Sequence, residues 1–383
     1  MERKISHCPD RWLLIVLFVL IMLGFLILSS ASISYSQKEF GSPLYILLHQ
    51  LKIGILPGIL IGILFFNLPL DFVRKYSLFF MLFVLFLTSM VFIPSIGVNV
   101  GGSFRWIHFG SLQFQPSEFL KLASIIYIAA WLSKWKSNPQ GENKKILSRK
   151  NLSLKGDWAK KSISFLVIIS SVIVLLFFQP DFSTLGIIIL AAISMYFVAN
   201  PGIRTILLIV LILVILMAAI PLSGYRMDRI LVFLNLGGDP MGSGYQIGQS
   251  LIAIGSGGLW GKGFGFGVQK LGFLPQPIAD SIFSVFAEET GFIGSIILIF
   301  LFLLFAIIGF KISKNSPNTF LKTLSLGIVF WIVFQAFVNI GSVMGIVPLT
   351  GIPLPFIANG GSHLLAELAG AGLLLNISKY SVE

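Results

Sequence analysis

The feature that most constrains this chain is a series of long apolar runs, spaced too closely to leave room for a soluble core. A helix needs roughly 20 mainly apolar residues to cross the hydrocarbon region of a bilayer. Ten such runs occur, at about 12–32, 44–66, 76–93, 117–135, 162–179, 183–199, 205–221, 281–310, 320–343 and 360–378. The fifth and sixth meet at Gln179-Pro180-Asp181-Phe182, which predicts a tight helical hairpin. Composition agrees: 56% of the 383 residues are hydrophobic and 11% are charged, against about 25% charged in an average soluble domain. The expected fold class is all-α: one integral membrane domain over 1–383, with about ten transmembrane helices and a long outer loop between helices seven and eight.

The net charge of +12 would fit a nucleic-acid partner only on a soluble, basic surface. In a chain this apolar the excess sets topology instead. Of the 27 Lys and Arg, 19 fall on one side of the ten spans: Arg3, Lys4, Arg11, Arg74, Lys75, nine between Lys134 and Lys161, Arg204, Lys311, Lys314, Lys322 and Lys379. Six fall on the other: Lys38, Arg105, Arg226, Arg229, Lys262 and Lys270. The side rich in Lys and Arg is the cytoplasmic one, so both termini are expected there. The basic loop 134–161 reads as a topology anchor with some attraction for anionic lipid. The outer loop, about 222–280, is poor in charge and rich in Gly, and its apolar stretches Ile230–Leu236 and Ser250–Ile254 suggest that it lies against the membrane surface.

An ionisable side chain at membrane depth is costly, so each one is a candidate for function. The chain has only 15 acids. Glu118 and Lys121 open the fourth span three residues apart, hence on one helix face, just after Pro116 in the position that suits a helix start. Asp181 sits at the outer hairpin tip, where it can also serve as a helix N-cap. Asp280 ends the outer loop after Pro275 and Pro277, at the mouth of the eighth span. Glu288 and Glu289 follow two turns later, 100° apart on the helix, so that only one can easily face a given partner. Glu367, in the tenth span, is expected to pair with a neighbouring helix.

Seven glycines lie between Gly255 and Gly267. A nucleotide-binding loop is excluded by context, because no βαβ unit surrounds them. They suit a backbone that approaches a ligand closely or folds tightly on the membrane. Lys262 and Lys270, with Arg226, Arg229 and Arg105, could then neutralise a phosphate. The single cysteine, Cys8, excludes an internal disulfide framework. The four histidines include no pair at metal-ligand spacing.

Several of these segments resemble the SEDS family (shape, elongation, division, sporulation). They are Gly242–Gln246, Gln249–Gly258, Gly261–Lys270, Leu274-Pro275, Asp280, Phe283 and Glu288-Glu289. Arg105-Trp106, Gln115–Glu118 with Lys121, Gln179–Asp181, Pro348–Phe356 and Leu374–Ser378 support the match. Gly242–Gln246, the stretch ending at Lys270 and Leu374–Ser378 are more similar to the division (FtsW) type than to the elongation (RodA) type. Ile278-Ala279 stands where the family commonly has His-Thr, and Ala358-Asn359 where it has Ser-Tyr.

The resemblance implies a peptidoglycan glycosyltransferase of the bacterial cytoplasmic membrane that polymerises lipid II at the outer face. Asp280 matches the family's catalytic aspartate, and Glu118 and Lys121 its helix-four acid and lysine. Arg105, Lys121, Lys262 and Lys270 are candidate partners of the leaving pyrophosphate, with Asp181 and Glu288 in support. A divalent cation, magnesium or manganese, is a candidate aid, and no organic cofactor is expected. The expected partners are a class B penicillin-binding transpeptidase, other divisome or elongation membrane proteins and membrane lipid, with no nucleic acid. The alternative is a flippase for a lipid-linked precursor, which predicts acids along a path across the bilayer, whereas most of those here sit at one end.

Overall fold

In the computed structural model every predicted span coincides with a helix except 205–221, which lies outside the described residues. Those residues are 8–100, 103–109, 112–136, 167–199, 229, 231–234 and 242–381. Arg226 and most of the basic loop 134–161 also fall outside them. A bilayer offers no hydrogen bonds to backbone, so apolar runs of this length must satisfy their own N–H and C=O groups as helices. Five of the helices are long and apolar enough to span a membrane by length and composition alone, and the chain is a multi-pass membrane protein.

The elements in order are α1 (Arg11–Phe40), α2 (Tyr45–Asn67), α3 (Leu70–Lys75) and α4 (Ser77–Ser89), then the strands β1 (Gly97–Val100), β2 (Ser103–Phe109) and β3 (Leu112–Phe114). They are followed by α5 (Pro116–Lys136), α6 (Val167–Phe178), α7 (Phe182–Ala199), α8 (Ser243–Ser256), α9 (Ile282–Asn315), α10 (Thr319–Val343) and α11 (Gly361–Ser378). The sheet was not foreseen. It is a small antiparallel meander in the order β1-β2-β3, registered by Gly97 opposite Ile107 and Ile107 opposite Phe114.

Helix α10 is the hub, packed against α5, α7, α9 and α11. Its indole Trp331 is fully buried. Helix α11 presses on α2 through small residues: a Cβ on Gly372 would stand 2.2 Å from the carbonyl oxygen of Gly62. Small residues of this kind let membrane helices approach closely. Outward-facing Phe18 and Leu26 of α1, Leu60 and Leu64 of α2 and Phe79 and Phe86 of α4 are exposed, as suits side chains whose solvent is lipid. Asp10 caps α1 by accepting from Leu13 N–H at 2.9 Å, and its own N–H donates to Ser378 Oγ at 3.0 Å, tying the first helix to the end of the last.

Candidate functional site

Two irregularities place the functional side chains at the end of the bundle opposite Asp10 and Ser378. The first is the long connection from α8 to α9, which delivers Asp280 to the start of α9. The second is the connection from α10 to α11, residues 344–360, which folds back over that start.

Asp280 is gripped from three directions. Its backbone carbonyl accepts from Asn339 Nδ2 of α10 at 2.8 Å, and the same amide donates to the carbonyl of Ile352 at 2.7 Å. Carboxylate oxygen Oδ2 accepts from Gln246 Nε2 of α8 at 3.3 Å, and that amide also reaches Ser281 Oγ at 3.0 Å. Arg229 lies on the other flank. Its guanidinium donates to the carbonyl of Leu349 at 2.8 Å, and a Cβ on Gly351 would be 3.8 Å from both Arg229 Nη1 and Asp280 Oδ2. Gly351 has φ +68°, a conformation that glycine adopts without strain. Oxygen Oδ1 of Asp280 is buried and has no hydrogen-bond partner among the described residues. Loss of water around the carboxyl raises its pKa above the ordinary 3.8, and the Gln246 hydrogen bond and the charge of Arg229 pull the other way. The result is a carboxylate with one oxygen held and one available, a form suited to accepting a proton.

Glu118 and Lys121 meet as their spacing predicts, with Nζ 2.8 Å from Oε2, both buried. The ammonium also donates to Gln335 Oε1 at 2.8 Å and lies 5.3 Å from the Trp331 ring centre. Gln335 Nε2 continues to Glu367 Oε1 at 3.1 Å and to the carbonyl of Pro353 at 3.0 Å. Glu367 Oε2 accepts from the N–H of Phe356 at 2.8 Å. Glu367 therefore pairs with its neighbours, as expected. Lys121 is 1% exposed, enclosed by Glu118, Gln335 and Trp331. Gln335 and Asn339 are four residues apart on one face of α10 and both bond the Ile352-Pro353 segment, so this buried network and Asp280 share a support.

Asp181 caps α7 as anticipated, accepting from Thr184 N–H at 3.3 Å, and its other oxygen accepts from Ser117 Oγ at 3.0 Å. Arg105 lies on β2. It donates to the carbonyls of Pro180 at 2.5 Å and Gln179 at 3.4 Å, closing the α6–α7 turn.

Lys262 and Lys270 are likewise turned inward. Lys262 Nζ is 2.6 Å from Glu288 Oε1, and Lys270 Nζ is 2.5 Å from Glu289 Oε1. Glu288 also accepts from the N–H groups of Val268 and Gln269, both at 3.1 Å. Ser30 Oγ of α1 bonds Glu289 at 2.7 Å and accepts from Lys270 at 2.7 Å. The two acids thus face different lysines, as their 100° separation requires. The glycines bring backbone to backbone: a Cβ on Gly261 would meet the Glu289 carbonyl oxygen at 2.1 Å. Helix α9 opens there, at Gly291 with φ 67° and ψ −162°.

Among the described residues no group of three or more His, Cys, Asp and Glu side chains is placed to hold a metal ion, and Glu118 is closed against Lys121. Gln335 and Asn339 escaped the sequence reading, and Gln246 entered it only as the end of the Gly242–Gln246 stretch, with no role at Asp280. Their signal was an amide within or beside an apolar run, where an unsatisfied polar group is expensive.

A family model described as cell cycle protein, covering FtsW, RodA and SpoVE, matches residues 11–383. The chain is 35% identical to stage V sporulation protein E of Bacillus subtilis over 376 residues, 97% of this chain and 98% of that protein. It is 36% identical to the probable peptidoglycan glycosyltransferase FtsW of Coxiella burnetii over 388 residues, 99% of each. Among solved structures it is similar to a chain of a peptidoglycan synthase complex that coordinates polymerization and crosslinking (TM-score 0.73, 25% identity, 97% of each chain). It is also similar to a mutant form of the rod shape determining protein RodA of Thermus thermophilus (TM-score 0.68, 25% identity, 98% of this chain and 99% of that one).

Proposed function

The chain belongs to the FtsW/RodA/SpoVE family of cell cycle proteins, and on that premise we propose that it is a peptidoglycan glycosyltransferase that polymerises lipid II. The observation that carries this reading is Asp280: a carboxylate held at the end of the bundle with Oδ1 buried and unpartnered among the described residues, and with its pKa raised by burial.

In the reaction, Asp280 takes the proton of the acceptor sugar hydroxyl as that oxygen forms a bond to the anomeric carbon of the donor. The bond from that carbon to the pyrophosphate oxygen breaks, and its electron pair leaves with the undecaprenyl pyrophosphate. Arg229, beside Asp280, is the cation placed to steady the departing charge. Lys121 acts at one remove, by holding Gln335 and through it the 353–356 segment. Because the substrate's lipid tail stays in the bilayer, a site at the membrane-surface end of the bundle suffices.

We place the termini in the cytoplasm and Asp280 outside, from the 19 and 6 division of Lys and Arg across the spans. The partner in this reading is a class B penicillin-binding transpeptidase, working with other membrane proteins of division or elongation. The likeness to a chain from a complex that couples polymerization and crosslinking supports it. Incubating the purified protein with lipid II and its cognate transpeptidase tests the function: glycan strands are expected. Movement of lipid II across liposomes without polymer would instead identify a flippase.

A further inference from the structure

The glycine-rich segment 257–273 is built the wrong way round for a loop in water. Its polar groups turn inward. The N–H of Lys262 donates to the carbonyl of Glu288 and that of Gly263 to Glu289, both at 3.0 Å. In return the N–H groups of Phe292 and Ile293 donate to the carbonyls of Gly258 and Leu259, at 2.9 and 3.2 Å. The ammonium groups of Lys262 and Lys270 are paired with Glu288 and Glu289. Its large apolar side chains turn outward: Trp260 is 79% exposed, Phe266 75% and Leu259 64%, with Phe264, Leu271 and Phe273 more than half exposed. Irregular backbone exposed to lipid is excluded from the hydrocarbon core; here part of the backbone is met by α9, so the outward apolar side chains suit the edge of the hydrocarbon, where headgroups and water meet the remaining N–H and C=O groups.

Two independent rulers place this segment. Counting about 20 residues for the hydrocarbon core back along α9 from Lys311 arrives at Gly291. Counting forward along α1 from Arg11 arrives at Ser30 and Ala31. These two points are joined, since Ser30 Oγ bonds Glu289, two residues before Gly291. The clamp therefore lies at the edge of the hydrocarbon on the side of Asp280. The exposed face continues below it into Ile296, Ile297 and Phe300 of α9, which face lipid.

We propose that residues 257–273 form a lip at the edge of the hydrocarbon on the Asp280 side, its backbone at headgroup level and Trp260, Phe264 and Phe266 dipping among the acyl chains as its anchors. The occupant of this apolar face is membrane lipid. Helix α9 starts at Ile282, six residues before Glu288 and about 9 Å higher at 1.5 Å per helical residue, and Asp280 lies just before that start. The lip would then fix the height of Asp280 above the hydrocarbon. That consequence rests on the function proposed above; the insertion itself does not.

The single cysteine, Cys8, is exposed, so Cys8→Ser gives a cysteine-free background for site-directed spin labels. Trp260→Cys and Phe266→Cys in that background, labelled and reconstituted in phosphatidylglycerol–phosphatidylethanolamine vesicles, are compared with labels at Phe300→Cys and at Cys8 itself. The lip predicts that at 260 and 266 oxygen relaxes the label several-fold more than a water-soluble nickel chelate does, as at 300 and unlike at 8. Relaxation by nickel at both positions would overturn the proposal by showing water there. Shielding from both reagents would overturn it by showing a protein cover, such as a second copy. Absence of polymerisation by the unlabelled parent protein in the same vesicles, with the oxygen signature intact, would count against the proposed reaction and leave the lip standing.

Discussion

The side-chain amide of Asn339 donates to the backbone carbonyl of Asp280 at 2.8 Å and to that of Ile352 at 2.7 Å, so one residue of α10 fixes both the start of α9 and the segment folded over it. Asn339→Ala would leave two buried carbonyls without a donor, at about 1–3 kcal/mol each. The expected outcome is a lowered melting temperature in detergent, together with a roughly tenfold or greater fall in kcat for glycan synthesis, since about 1.4 kcal/mol of lost transition-state support is tenfold in rate. Unchanged kcat in a folded variant would remove Asn339 from the positioning of Asp280.

The raised pKa of Asp280 makes two pH predictions. As a base it must be ionised, so activity falls as pH drops through a value above the ordinary carboxylate range. Gln246→Leu removes a hydrogen bond that lowers this pKa, so the acid limb of kcat/KM should move to higher pH. For stability the sign reverses. The folded state holds the proton more tightly than the unfolded state, so its advantage is complete below the unfolded pKa and is lost as pH rises through the folded one. Asp280→Asn should melt higher than the parent at neutral pH, with the difference shrinking on acidification.

The pair of Lys270 and Glu289 is buried, and breaking a buried pair leaves an uncompensated charge at about 3–5 kcal/mol. Lys270→Met should therefore destabilise strongly, and adding Glu289→Met should restore much of the loss in a thermal double-mutant cycle. Lys262→Met should cost less, because the Lys262 side chain is 35% exposed.

Two glycines with helical backbone give a controlled comparison. A Cβ on Gly257 would meet the carbonyl oxygen of Ala287 at 2.2 Å, whereas one on Gly248 finds nothing within 4 Å. Gly257→Ala should part the glycine-rich segment from α9 and lower the melting temperature. Gly248→Ala, within α8, should raise it slightly, by up to about 1 kcal/mol of helix propensity.

The spans were legible because a bilayer imposes one length and one chemistry on every crossing segment. Asp280, Glu118 and Lys121 stood out because charge is scarce in this chain, and Asp181 because its place before a helix suits a cap. The destinations of Lys262, Lys270 and Arg105 were not legible. A basic side chain in a loop carries no local mark of whether it turns to a ligand, to an acid on another helix or to carbonyls at a turn. Gln335 and Asn339 were missed, and Gln246 was seen only as part of a motif, for a related reason: an amide does not announce its cost until burial is known. The strands β1, β2 and β3 have 4, 7 and 3 residues, too brief for alternation to show.

The most direct measurement is glycan synthesis from lipid II by the purified protein carrying Asp280→Asn, compared with the parent in the same lipid. Asn keeps the shape and the neutral hydrogen bonds but cannot take a proton. The account predicts a folded protein, at least as heat-stable as the parent at neutral pH, that makes essentially no polymer. Polymerisation at the parent's rate by that variant would contradict it.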